Sequence, residues 1–343
     1  SVASGTLAPD AVARLAGGPP RVLVPIGGGR NSQVFRLEAE DGRCFALKAY
    51  FRHPEDGRDR LAVEFGALGF LWRHGLRCIP EPLAQDPDAG LGLYAFIPGA
   101  PPAPPTEADV DAACAFLGEV HALRRTAEAG ALPEASEARF SLEAVAENID
   151  QRLARLAAAD PALAADSGLA GFLAEDLLPA WRDLRSECRS RAGSDFAAPL
   201  AAGCRTLSPS DFGFHNALRN GADLVFLDFE YFGWDDPAKL VADFLLHPGM
   251  DLSLSLRQRF ASRILDTWAV DGLARRVRLA FPLFGIKWCA ILLNEFLPGP
   301  LDRRSFADPG RGSRERQALQ LAKARTKLAN LVDDHARFPY FAA

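Results

Sequence analysis

Residues 21–26, 33–39 and 43–50 alternate apolar and polar positions as half-buried strands do, and Asp41-Gly42 between the last two supplies the residues of a hairpin turn. At 58–74 the spacing becomes helical, with Leu61, Phe65, Leu68, Leu71 and Trp72 on one stripe. The proline-rich run Pro98-Gly99-Ala100-Pro101-Pro102-Ala103-Pro104-Pro105 then interrupts any regular element. Beyond it the pattern predicts helices over 107–125, 142–158, 169–189, 239–247, 254–269, 277–293 and 314–335, with strand character only at 224–227 and around Thr206. The expectation is an α+β chain of two parts, a small β-rich N-lobe over residues 1–97 and a larger helical C-lobe over 98–343.

Length agrees with two parts, since 343 residues exceed the about 250 to 300 at which single cores stop growing. With 48% hydrophobic and 24% charged residues the chain has the balance of a folded protein. A formal net charge of −5 leaves no basic surplus for phosphate backbones, so nucleic acid is not an expected partner and small molecules are. The six cysteines (Cys44, Cys78, Cys114, Cys188, Cys204, Cys289) show neither disulfide nor zinc spacing. Together with an opening Ser-Val-Ala-Ser-Gly that has no export-signal character, they make a reducing cytoplasm the expected setting. The most apolar stretch, 277–293, is broken by Arg278, Pro282 and Lys287 and reads as a core helix rather than a membrane span.

Three segments carry candidate chemistry. In Leu207-Ser208-Pro209-Ser210-Asp211-Phe212-Gly213-Phe214-His215-Asn216, an Asp is followed five residues later by an Asn; Val225-Phe226-Leu227-Asp228-Phe229-Glu230 then ends a strand on a second Asp. Phosphoryl transfer needs one carboxylate to accept a hydroxyl proton, and oxygen donors to hold a magnesium ion that neutralises phosphate charge. The residue types and their order suit Asp211 to the first task, and Asn216 and Asp228 to the second. Upstream, Gly27-Gly28-Gly29-Arg30-Asn31-Ser32-Gln33-Val34 joins two strands as G-x-G-x-x-S-x-V, so Gly27, Gly28, Gly29 and Ser32 are candidates for covering phosphates. The next element is a strand and no Gly-Lys-Ser/Thr follows, which excludes a dinucleotide fingerprint and a Walker loop. Third, period-2 alternation puts Lys48 on one face with Cys44, Ala46 and Tyr50, while Glu64 falls inside the apolar stripe of the following helix. Pairing the two satisfies both, because an unpaired buried charge is expensive, and it leaves the ammonium to face phosphates.

Taken together these residues resemble the aminoglycoside phosphotransferase and choline kinase superfamily, the small-molecule relatives of protein kinases. The order of glycine loop, strand lysine, helix glutamate, hinge, catalytic loop and metal-binding Asp covers nearly the whole chain. The resemblance implies a bilobal protein-kinase-like fold and an ATP-dependent kinase transferring the γ-phosphate to a small-molecule hydroxyl, with ATP and Mg2+ as cofactors. It implies Asp211 as base, Asn216 and Asp228 as metal ligands, Lys48 on the α/β-phosphates with Glu64 as its partner, and 91–99 as a hinge, with Tyr94 and Phe96 at the adenine. Asp228-Phe229-Glu230-Tyr231 is similar to the choline kinase form of the metal motif, and Gly233-Trp234-Asp235-Asp236-Pro237 to the proline element that follows it. One position departs: the family has His two residues before the base, and here Pro209 stands there. His215, on the other side of the base, carries no assigned role.

The acceptor stays open between an aminoglycoside, an amino alcohol, and a neutral sugar or nucleoside. Glu230, Asp235, Asp236 and Glu295 are candidates for an acidic acceptor pocket, and Trp234 and Trp288 for facing a quaternary ammonium. Against this, and with more weight, Asp235-Asp236-Pro237 is a good helix start and Trp288 sits in a core-like run. A nucleotide-binding pseudokinase acting through protein contacts is the alternative from another class. The polar residues of the transfer site argue against it, and the lack of an A-P-E sequence argues against a protein kinase.

Overall fold

The computed structural model describes residues 7–29, 31–52, 57–250, 252–298 and 312–342. The chain forms two compact units, and the segment Asn216–Phe232 belongs with the first rather than with its sequence neighbours. The boundary expected at residue 97 is therefore displaced. The first unit runs to Ala103 and takes back the later hairpin; the second begins at Pro104 and resumes at Gly233.

In the first unit the strands β1 (Val22–Gly28), β2 (Ser32–Glu38), β3 (Cys44–Tyr50), β4 (Pro82–Asp86) and β5 (Leu91–Ala95) form one antiparallel sheet in the order β1-β2-β3-β5-β4. The β2–β3 turn is the expected Asp41-Gly42, with Gly42 at φ 84° and Asp41 Oδ1 accepting from Arg43 N at 3.1 Å. Phe45 and Leu47 on one face of β3 join Leu37, Leu91 and Leu93 in a core closed by Ala11, Val12 and Ala16 of α1 (Pro9–Ala16). Alternation sends Lys48 and Tyr50 to the opposite face. Glu64 reaches them from α2 (Arg60–Arg73), which is capped at Asp59 by a 2.9 Å bond from Ala62 N.

The central part of the chain adds β6 (Thr206–Ser208), the hairpin β7 (Ala217–Asn220) and β8 (Asp223–Phe226), and β9 (Gly233–Asp235). β7 and β8 pair within the first unit, and β6 pairs with β9 in the second. Gly99 and Ala100 lie against β7: Ala100 pairs with Arg219, and a Cβ at Gly99, whose φ is 141°, would stand 2.4 Å from the Arg219 carbonyl. Glycine is required there on both counts.

The second unit is otherwise helical: α3 (Glu107–Leu123), α4 (Leu142–Ala157), α5 (Pro161–Ser167), the short α6 (Leu169–Gly171) running through a π-turn into α7 (Leu178–Ala192), α8 (Pro237–Leu246), α9 (Leu254–Thr267), α10 (Leu273–Leu292) and α11 (Ser313–Arg337). Thr106 and Asp109 form a reciprocal capping box at the start of α3. Among the described residues, Leu273–Phe296 is the one helical stretch long and apolar enough to cross a membrane, and 78% of its most apolar window is buried inside the protein. It packs against α4, α7, α8 and α11, as a core helix does.

Candidate active site

In the first unit, Lys48 holds three carboxylates together. Its Nζ donates to Glu64 Oε2 at 2.7 Å and to Asp228 Oδ1 at 2.8 Å, and lies 3.8 Å from Glu230 Oε2. Burial would lower the ammonium pKa, but the charges of Asp228, Glu64 and Glu230 outweigh it and raise it well above the ordinary lysine value. Lys48 is therefore a permanent cation at 7% exposure. Glu64 is fully engaged: Oε2 also accepts from Tyr50 OH at 2.5 Å, and Oε1 from Phe229 N at 3.0 Å. That last bond ties α2 directly to the residue after Asp228. Asp228 itself has φ 66°, a left-handed conformation that is costly for a residue with a side chain and persists where surrounding structure imposes it.

Several expected residues sit differently. Gly27 and Gly28 are the end of β1 rather than a loop, and Gly29 N donates to Ser32 O at 3.0 Å. Arg30 lies outside the described residues. Ser32 is a buried β2 residue opposite Tyr50, so its side chain is not at the tip of the turn. A Cβ on Gly28 would stand 2.7 Å from the Ser32 carbonyl, so the tight hairpin itself demands this glycine. Tyr94 is committed on every side. Its hydroxyl meets Tyr50 OH at 2.7 Å, and it pairs with Ala46 on β3 and with Pro82 on β4. Burial and the nearby Glu64 raise its pKa, keeping it neutral. Only beyond Ala95, at Phe96, does the hinge leave the sheet.

Residues that carried no motif signal complete this cluster. Asn31 Nδ2 donates to Glu230 Oε1 at 2.7 Å and contacts the Tyr231 hydroxyl, tying the glycine turn to the segment after Asp228. Arg60 Nε lies 3.9 Å from the same Glu230 oxygen. Burial first, and then the neighbouring Asp228 charge, push the Glu230 carboxyl up to about 7.

In the second unit the segment expected to hold the base is a strained turn. Asp211 N donates to Pro209 O at 3.0 Å across Ser210, whose φ is 70°. An i→i+2 bond with positive φ is the rare form of γ-turn. Lys239 of α8 anchors it: Nζ donates to Ser210 Oγ at 3.0 Å and to Asp235 Oδ2 at 2.8 Å, and lies 3.3 Å from Asp243 Oδ2. Two imidazoles converge on Asp211 Oδ1, His215 Nε2 at 3.1 Å and His247 Nε2 at 3.3 Å. Burial would raise the Asp211 carboxyl, but these N–H groups more than offset it and hold it well below the usual carboxylate range. Asp211 is therefore ionised at neutral pH.

The two rings stack with centroids 3.8 Å apart and planes 8° from parallel. Each ring presents its Nε2 to the same carboxylate oxygen, an arrangement that suits two N–H donors to one acceptor.

The structure corrects the expected acidic acceptor pocket at Asp235 and Asp236. Asp235 is 0% exposed, and its two oxygens accept from Lys239 and, at 2.9 Å, from Asp236 N. Asp236, 1% exposed, caps α8 through Ala238 N at 2.9 Å and accepts from Arg276 Nε at 2.7 Å. Glu295, on the turn Leu293–Phe296, pairs with Arg316 at 3.7 Å, and Glu230 is consumed in the Lys48 cluster. Trp234 donates to Ala129 O, while Trp288 donates to Asp243 Oδ1 and meets the His247 ring edge-on at 4.6 Å. Asp235 and Asp236 are therefore structural. Asp236→Ala is expected to cost about 3–5 kcal/mol by stranding the Arg276 charge and uncapping α8, read as a lower urea midpoint. An unchanged midpoint contradicts that role.

The antiparallel sheet with its lysine–glutamate pair, followed by a helical unit with a carboxylate on a strained turn, defines a kinase-like fold. The sequence profile of the phosphotransferase enzyme family matches residues 22–276, about three-quarters of the chain, and the chain belongs to that family. No curated protein matches it significantly in sequence. Among solved structures it is similar to a spectinomycin phosphotransferase determined with ADP and spectinomycin, at TM-score 0.63 and 14% identity over 93% of this chain and 98% of that one. It is also similar to a choline/ethanolamine kinase family protein from Mesorhizobium loti, at TM-score 0.57 and 17% identity over 96% and 98% of the two chains. A third is a macrolide 2'-phosphotransferase from Brachybacterium faecium, at TM-score 0.54 and 20% identity over 91% and 97%. Family and fold together make the protein a small-molecule phosphotransferase.

Proposed function

We propose that the protein is an ATP-dependent kinase that moves the γ-phosphate of ATP to a hydroxyl of a small molecule. The observation that carries this reading is the buried Lys48 ammonium, held by Glu64 of α2 at 2.7 Å and Asp228 at 2.8 Å, with Asp228 in a strained backbone conformation. A permanent buried cation beside a carboxylate is suited to phosphate, and Lys48 would take the α/β-phosphates. Asp228 and Asn216 offer a carboxylate and an amide, the hard oxygen donors that suit magnesium, and they are the residues that would hold it. When bound, Mg2+ supplies positive charge to the β- and γ-phosphates. The backbone beyond Ala95, from Phe96 onward, has left the sheet and would take the adenine edge.

Asp211, ionised at neutral pH, accepts the proton of the acceptor hydroxyl as its oxygen bonds to the γ-phosphorus, and the bond to the β-phosphate oxygen breaks to release ADP. A pseudokinase has no need of a carboxylate on a strained turn with two imidazoles set against it at this position. Because Asp235 and Asp236 are consumed internally, attraction of a cationic acceptor cannot rest on them. The similar proteins named above are a spectinomycin phosphotransferase, a choline/ethanolamine kinase family protein and a macrolide 2'-phosphotransferase, so an acceptor panel should include spectinomycin, choline, a macrolide and a neutral nucleoside. Magnesium-dependent ADP release is expected to accelerate with one class and not the others. Equal, slow ADP release with all of them contradicts a small-molecule acceptor.

A further inference from the structure

His247 follows α8 in a His-Pro-Gly sequence with no motif significance, yet its Nε2 lies 3.3 Å from Asp211 Oδ1. Gly249 N donates to its Nδ1 at 2.9 Å. Nδ1 is thus an acceptor, which places the ring proton on Nε2, facing the carboxylate. Burial lowers the imidazole pKa, so the ring stays neutral in this tautomer. The ring plane is fixed by the parallel His215 ring on one side and the Trp288 edge on another, and Trp288 is itself anchored to Asp243 at 2.9 Å.

We propose that His247 is a positioning residue for Asp211: with His215 it grips Oδ1, fixes the rotation of the carboxylate, and so sets the direction in which Asp211 meets the acceptor hydroxyl. Pro209, upstream of the base, has no side-chain donor to do this, so the bracing comes from the far end of α8. A 3.3 Å separation is long for a hydrogen bond, but catalytic hydrogen bonds often tighten only once substrates are bound. This inference rests on the reading of Asp211 as the base.

The test compares His247→Leu, which removes the donor, with His247→Gln, which can restore an N–H near the same place. ADP release from Mg-ATP is measured with spectinomycin, choline, a macrolide and a nucleoside, and with water where none accelerates it. His247→Leu is expected to lower kcat about 100-fold while KM for ATP and the urea midpoint stay near wild type, and His247→Gln to recover kcat to within about tenfold. Nitrogen NMR of the intact protein, which needs no acceptor, is expected to show His247 as the neutral Nε2–H form and to shift in Asp211→Asn. Wild-type kcat in His247→Leu overturns the proposal, as does an Nδ1–H tautomer, or a loss of kcat and stability together without recovery by Gln. If Asp211→Asn is inactive while His247→Leu is not, only this inference fails; if Asp211→Asn itself turns over normally, the base assignment fails first.

Discussion

Asp211→Asn is expected to reduce kcat by roughly 10²- to 10⁴-fold, the range general-base catalysis supplies, while nucleotide affinity and fold survive. The amide keeps the shape of the carboxylate but not its charge or its ability to take a proton. The γ-turn at Ser210 and the Lys239 anchor do not depend on the Asp211 side chain, so the loop should hold. The substitution does place an amide against two imidazole N–H groups, and a rotamer that presents the amide oxygen to them preserves one good acceptor. Steady-state kinetics on the best acceptor, with nucleotide affinity measured separately by calorimetry, separate loss of chemistry from loss of binding. Turnover near wild type would remove Asp211 from the mechanism.

Asp228→Ala is expected to abolish most of the magnesium dependence of ATP binding, weakening Mg-ATP affinity by roughly 100-fold, since removing even an outer partner of a metal ligand costs 10- to 100-fold. The change is separable from a folding defect, because Lys48 keeps its 2.7 Å bond to Glu64 and Glu64 keeps its bonds from Tyr50 and from Phe229 N. Loss of the carboxylate also relieves an unfavourable neighbour of Glu230, whose carboxyl is raised partly by the Asp228 charge and should then titrate lower. Titrations of ATP with magnesium and with a chelator should differ strongly in the wild type and little in the variant. An unchanged Mg-ATP affinity would exclude Asp228 as a metal ligand.

Much of the first unit was legible because two simple periods coincide there. Alternation in β3 put Lys48 and Tyr50 on one face, helical spacing put Glu64 inside an apolar stripe, and only a pairing of the two avoids buried unpaired charge. The glycine turn was misplaced by two residues, because glycine has weak strand preference and its presence in β1 follows from the close approach of the Ser32 carbonyl to Gly28. Asp235 and Asp236 looked like an acidic surface for a different reason. Lys239, four residues on from Asp235, was a readable partner, but Arg276 arrives from 40 residues away and only tertiary structure brings it to Asp236. His247 was missed on the same ground, its approach to Asp211 being made by the packing of α8 and not by any local spacing. Charge clusters in a sequence are ambiguous until the neutralising partners are placed.

The central claim is that the protein transfers phosphate from ATP to a small molecule. It is tested most directly by incubating the wild type and Asp211→Asn with γ-phosphate-labelled ATP, magnesium and the acceptor panel, and following the label into the small-molecule fraction. The account predicts label in one class of acceptor with wild type, dependent on magnesium and nearly absent with Asp211→Asn. Label that stays in ATP or appears only as inorganic phosphate, at the same rate for both proteins, would contradict it.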